Sequence, residues 1–364
     1  MHINTNIKRS TVIAALTLTL FCLLIKWISY YPSLIETYYS HGIYPYISSL
    51  YRTLFGWIPF SIGDLLYFTA GCYLLYYLYK IFNVFAKKRI LEIDYGKRIK
   101  RTFFFVTSTY IYFNLMWGLN YNRPGISSEL QLHTIAHNEA DLKKITSALV
   151  QKVNESRISL HTNSIKYKHY KIVFGEAQKA YIKAGLAFSF MEYKTSSVKR
   201  SMYGRLGNYV GFLGYYNPFT GEAQLNLTMP QFLIPYVSCH EMAHQLGYAK
   251  ESEASFVAYL AATQSADKLF HYSTYLDLYT YANYELYERD SADAKNNYNQ
   301  LDTLVKKDLA ELRKYAEKRK NPIEPIIKLF YDHYLKANEQ DKGVNSYNEV
   351  IGWLIAYQKK YGRI

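Results

Sequence analysis

The rhythm of apolar and polar positions divides the chain into two unlike parts. Near the N-terminus Lys8-Arg9 precedes an uncharged run from Thr11 to Ile25, which ends on Lys26-Trp27-Ile28. A basic flank and an apolar core also describe a secretory signal. Here no small residues follow to make a cleavage site; Trp27, Tyr30, Tyr31 and Pro32 do. A retained anchor over about residues 11–30 is expected, with Lys26 reaching to the interface and Trp27 resting in it. A second apolar run covers residues 58–85, with Asp64 near its start and Lys80 near its end. A third, residues 103–119, is uncharged, rich in Phe and Tyr, and just long enough to span. Its competing reading is a buried helix of a soluble domain.

From Arg123-Pro124-Gly125 onward polar residues become frequent and no apolar run approaches membrane length. Residues 1–123 thus read as a membrane unit and residues 124–364 as one soluble domain, large enough to build a core. Leu142, Ile145, Leu149 and Val153 follow helical spacing, and residues 177–186 predict another helix. Residues 203–221, with Gly204, Gly207, Gly211, Gly214, Pro218 and Gly221, read as a loop. Then Glu222 to Thr228 alternates, with Ala223, Leu225 and Leu227 on one face, a strand stopped by Pro230. Beyond residue 236 the pattern is almost continuously helical, broken at Asn321-Pro322 and over residues 338–343.

Composition adds two restrictions. Hydrophobic residues at 49% and charged residues at 20% exclude a disordered chain. Three cysteines give no disulfide framework, and Cys22 and Cys72 read as buried thiols within apolar runs.

Charge changes the picture more. The formal net charge is +14, which by itself would suit an acidic partner. Its distribution argues otherwise. Up to residue 123, thirteen Lys and Arg stand against four Asp and Glu, whereas the remainder is nearly balanced. Lys87, Lys88, Arg89, Lys97, Arg98, Lys100 and Arg101 lie between the second and third runs; only Arg52 lies between the first and second. The positive-inside rule then puts this loop and the N-terminus in the cytoplasm, and everything after residue 119 outside. The expected setting is a multi-pass protein of the bacterial cytoplasmic membrane, with its soluble domain on the periplasmic side and no nucleic-acid partner.

The densest chemistry is His240-Glu241-Met242-Ala243-His244. Residues four apart share a helix face, so two imidazoles can aim at one metal ion. Glu241, beside the first, can hold and deprotonate a metal-bound water as general base. Chance alone places this pattern in about 2% of such chains. Context sharpens it: the motif sits in a helix-competent run after Pro235, Gly247 supplies a stop, and the strand from Glu222 precedes it. In zinc peptidases such a strand is the edge that pairs with an extended substrate.

A third ligand is required. Lys250 occupies the position where a metzincin carries its third His, so an acidic donor in the gluzincin manner is expected. Glu253 lies one turn before Phe256 and Val257, on the packing stripe of a helix starting near Ser252, and is favoured. Glu251 would fall before that helix and face water. Cys239 should point away from the site. His133 and His137 share the four-residue spacing without the Glu and read as surface residues. His271 and His333 are candidates to assist the site from outside the ligand set.

At these residues the chain resembles the bacterial membrane family called domain of unknown function 3810. The resemblance rests on Trp117-Gly118-Leu119-Asn120-Tyr121, on residues 214–223, and most specifically on residues 240–247 with Glu253-Ala254-Ser255-Phe256. Tyr334-Leu335-Lys336-Ala337-Asn338 and Ser346-Tyr347 extend it. The family usually has Glu-Ala-Asn at 253–255, a departure that leaves the Glu in place. The resemblance implies a membrane-anchored zinc hydrolase and names no substrate.

The expectation is therefore a mainly α protein: three transmembrane helices followed by an α+β, zincin-like domain with a small sheet. His240, His244 and Glu253 would hold Zn²⁺ and Glu241 would act as base on a peptide or protein substrate. Two alternatives use the same residues. One is a membrane-tethered assembly factor with a structural metal; the other is a zinc amidase acting on cell-wall material.

Overall fold

A computed structural model describes residues 8–86, 94–132, 137–162, 164–165 and 169–364. Lys87, Lys88, Arg89 and His133 lie outside the described residues. The fold is mainly helical, with one three-stranded sheet.

Two described helices are long and apolar enough to cross a membrane, Arg9–Ile28 and Ile62–Val84, with hydropathies of 2.2 and 1.2. Their hydroxyls are turned inward on the backbone: Thr17, Thr19 and Thr69 each donate to the carbonyl four residues earlier. The third expected span falls in helix Tyr95–Met116, which is not among them. Lys97, Arg98, Lys100 and Arg101 fill its first turns, and Thr102, Thr107, Ser108, Thr109 and Asn114 dilute its body. Nor is it a core helix, since none of its residues is buried. It runs parallel to the first helix. Lys100 Nζ donates to Thr11 Oγ1 at 3.1 Å near both starts, while Ile25, Ile28, Ile111 and Phe113 pack together near both ends. Cys72 is exposed on the second span and Cys22 only half-buried, against the expectation of buried thiols; both sit on outward faces of apolar helices.

The ends of these helices are built into the rest of the fold. Glu222 accepts hydrogen bonds from the backbone N–H of Gly63 (2.6 Å) and Ile62 (3.1 Å), placing a carboxylate on the positive N-terminus of the second apolar helix. Asp64 accepts from Met202 N–H at 2.6 Å and from the Tyr215 hydroxyl. Lys199 donates to the carbonyls of Phe55 (3.0 Å) and Gly56 (2.9 Å), closing the C-terminus of helix Tyr44–Gly56. Residues on both sides of position 123 thus share contacts throughout.

The sheet has the order β1-β3-β2, from β1 (Val198–Arg200), β2 (Gly214–Asn217) and β3 (Glu222–Leu225). The expected strand is β3, but it is central. It pairs parallel with β1 and antiparallel with β2, so it offers no edge to a substrate. All four of its residues are buried, which replaces the expected one-faced alternation. The segment read as a loop instead contains a short helix, Gly204–Val210, and β2. Helices Glu139–Ile158 and Tyr170–Ala187 form where apolar spacing predicts them, each longer than the predicted stretch.

Two helices, Ile234–Gln245 and Glu251–Ala262, form the centre, and all 12 residues of each are buried. They are enclosed by helices 170–187, 268–289 and 350–361 and by β3, with helix 139–158 packed outside against helix 268–289. Apolar burial supplies the main driving force for this arrangement. It also fixes the backbone that carries the candidate chemistry.

Candidate metal centre

The motif helix begins with Pro235 in its first turn, where a missing N–H costs nothing. It ends before Gly247, whose φ of +87° favours glycine. A side chain there would also meet Asn120 Oδ1 and the Tyr44 ring, both at 2.9 Å. The last carbonyls of the helix are capped from the N-terminal part of the chain. Trp117 Nε1 donates to His244 O (3.2 Å), while Tyr44 (3.1 Å) and Ser48 (2.5 Å) donate to Gln245 O. The Gln245 amide donates to the Ser197 (2.9 Å) and Gly221 (2.7 Å) carbonyls, tying the helix to the sheet.

His240 and His244 are brought together as their spacing predicts, but their acidic companion is Glu251, not Glu253. Glu251 Oε2 lies 3.1 Å from His240 Nε2 and 3.5 Å from His244 Nε2. One donor atom from each of these residues lies within 4.8 Å of the others. Helix Glu251–Ala262 starts at Glu251 itself, so this side chain projects back over the motif helix. Glu253, two residues on and roughly 200° around the helix, faces Gly125. Burial pushes its carboxyl up to about 7 against the pull of Lys250 and Arg123. The packing stripe fails to choose between the two because this helix is buried on every side.

The surroundings fix these donors. His244 Nδ1 lies 2.7 Å from the Tyr248 carbonyl and His240 Nδ1 lies 3.1 Å from Ser255 Oγ, leaving both Nε2 atoms directed at Glu251. Glu251 Oε1 accepts from the Tyr331 hydroxyl at 2.9 Å, which lies 3.2 Å from Tyr347 Oη. Burial alone would raise Glu251, but His244 and His240 outweigh it and hold its carboxyl far below the usual range. For His244 burial acts downward, yet the Glu251 charge and hydrogen bond carry it up to about 9. Burial dominates at His240 and lowers it. Two imidazoles converging on one carboxylate attract a proton, and a divalent cation would compete with it for the same atoms.

Ligands about 2.0–2.2 Å from a tetrahedral zinc ion would stand roughly 3.3–3.5 Å apart, close to the two separations of 3.1 and 3.5 Å about Glu251. Orientation of each imidazole through its second nitrogen is the usual support for such a centre. A second acidic cluster, Glu36, His41 and Glu129, has donor spacing of the same kind. Arg123 already fills it: Nη2 lies 2.6 Å from Glu36, 2.9 Å from Glu129 and 3.2 Å from His41.

Glu241 lines a cavity of about 860 Å³ together with His240, Ser255, Tyr331 and Tyr347. Its Oε2 is buried without a hydrogen-bond partner. Burial pushes its carboxyl up to about 8, and a divalent cation beside it would favour the ionised form. Gly214 of β2 makes room for it; a Cβ there would come within 2.5 Å of Glu241 Oε1. Tyr67, on the second apolar helix, also lines this cavity.

The other candidates lie elsewhere. Cys239 is fully buried away from the donors. His137 pairs with Glu285 at 2.8 Å, His271 with the Ser265 carbonyl at 2.9 Å, and exposed His333 with the Leu329 carbonyl at 2.8 Å. None of these three lines the cavity.

A buried cluster of two imidazoles and a carboxylate lies beside a cavity lined by Glu241, in a mainly helical protein. The family model described as "Protein of unknown function (DUF3810)" matches residues 39–355, and the chain belongs to this family. No curated protein and no solved structure matches the chain.

Proposed function

We propose that this chain is a membrane-anchored zinc-dependent metallopeptidase whose site faces away from the cytoplasm. The observation that carries the reading is the convergence of His240 Nε2, His244 Nε2 and Glu251 Oε2, with Glu241 on the adjoining cavity wall. Zinc held there would bring a bound water towards a pKa of about 7 and polarise a substrate carbonyl. Glu241 takes the proton of the attacking water and returns it to the leaving amine. Its unpaired oxygen has no competing donor to displace. Tyr331 and Ser255 hold Glu251 and His240 in place. Tyr331 and Tyr347 line the cavity and narrow access of bulk water to the base.

The helix directions support the orientation. The ends at Ile28 and Met116 and the start at Ile62 adjoin the body that carries the motif, whereas Lys8, Arg9 and the basic residues 97–101 lie at the opposite ends. Positive residues stay in the cytoplasm, so we read helix 95–116 as a third span and the motif as periplasmic. The test compares the exported proteins of cells carrying the wild type and Glu241→Gln. A defined precursor should accumulate in the mutant. An unchanged exported proteome would contradict the peptidase reading.

A further inference from the structure

The cavity contains an acid that hydrolysis does not use. Asp277 lies on helix Lys268–Arg289 and lines the cavity together with His240 and Glu241. Tyr281 and Tyr284 follow at helical spacing on the same face, and both line the cavity, as does Tyr236 from the motif helix. Three buried acids away from the cavity have compensating partners. Glu36 holds Arg123, Asp308 accepts from Arg157 and Tyr272 at 2.7 Å, and Glu222 accepts backbone N–H groups. Asp277, half-buried in the cavity wall, has no such partner among the described residues, and burial pushes its carboxyl up to about 7. A carboxylate that opens onto the cavity among tyrosines and aliphatic side chains is placed to meet a ligand and not another residue of the fold.

We infer that Asp277 sets specificity in this cavity by receiving a cationic group of the substrate, an ammonium on a residue next to the bond cleaved. The inference rests on the peptidase reading and deepens it. The carboxylate supplies the counter-charge, and the faces of Tyr236, Tyr281 and Tyr284 can add cation–π attraction. The ammonium can belong to a lysine-like side chain or to a free N-terminus; the chemistry is shared.

Hydroxamates, which chelate zinc through two oxygens, separate these sources on the zinc-loaded full chain in detergent. Nα-acetyl-lysine hydroxamate binding at least tenfold more tightly than Nα-acetyl-norleucine hydroxamate indicates a side-chain ammonium. Free norleucine hydroxamate outbinding its acetylated form indicates an N-terminus. Either preference should vanish in Asp277→Asn while Nα-acetyl-norleucine hydroxamate binds as before. Equal binding of all three overturns the inference and leaves the metal site standing. Failure of acetohydroxamate to bind zinc-loaded protein would instead sink the metal site. A metal-free measurement covers that case: butylamine should raise the thermal transition of the wild type more than butanol does, and not that of Asp277→Asn. Equal shifts would overturn the inference.

Discussion

Replacing Glu251 by Gln keeps the side chain's shape but removes the charge and the stronger donor from the centre of the cluster. In the fold this atom lies 3.1 and 3.5 Å from the two imidazole nitrogens, so no other described acid shares its place. Loss of a supporting residue outside a ligand set costs 10–100-fold in metal affinity; loss of a ligand should cost at least the upper figure. Glu251→Gln is therefore expected to weaken zinc binding by about 100-fold or more, roughly 2.7 kcal/mol. Glu253→Gln, whose side chain faces Gly125, should change it by less than about threefold, within the ~0.7 kcal/mol that this factor represents. Tyr331→Phe, which removes a 2.9 Å hydrogen bond to Glu251, should fall between them. The assay is competition with a zinc-chelating dye on full-length protein, with the thermal transition recorded as a check on folding. If Glu253→Gln loses zinc and a folded Glu251→Gln keeps it, the assignment from geometry is wrong.

Three further outcomes follow from single contacts. Gly214→Ala would bring a methyl group within 2.5 Å of Glu241 Oε1. A shift of about 1 Å in a reacting group can cost 10²-fold, so turnover should fall by about that factor with zinc content unchanged; undiminished turnover would refute the role given to Gly214. Arg123→Ala removes two hydrogen bonds to buried Glu36 at 2.9 and 2.6 Å and leaves it His41 at 3.2 Å, and a loss of about 3 kcal/mol in urea unfolding is expected; a loss under about 1 kcal/mol would contradict the network. Asp277, with its folded pKa raised to about 7 from 3.8, holds a proton that the unfolded chain has released. Stability should thus decline as pH rises through that window, and the decline should be smaller in Asp277→Asn; identical pH profiles would remove the basis for an uncompensated Asp277.

Much of the candidate site was readable in the chain because its chemistry is local. His240 and His244 meet through one helical turn, and Gly247 ends that helix in the left-handed conformation its position requires. The first two apolar runs were equally plain, since span length and lack of charge are properties of contiguous residues. The acidic neighbour of the two imidazoles is less legible: preferring Glu253 supposes that one face of its helix is wet, and no face is. The position of β3 depended on β1, three residues long and paired from 25 positions away, which no local pattern announces. Tyr331 is lost among 40 tyrosines, and only its contact with Glu251 distinguishes it; Tyr347 stands out only through the family resemblance.

The central claim is that zinc on His240, His244 and Glu251 serves a hydrolysis in which Glu241 is the base. Its most direct test incubates zinc-loaded full-length protein with a peptide mixture in ¹⁸O-water and reads the new carboxyl termini by mass spectrometry. The account predicts labelled termini with the wild type, none after chelation until zinc is restored, and none with a Glu241→Gln protein that still binds one zinc per chain. Cleavage by zinc-loaded Glu241→Gln at the wild-type rate, or by the zinc-free chain, would contradict it.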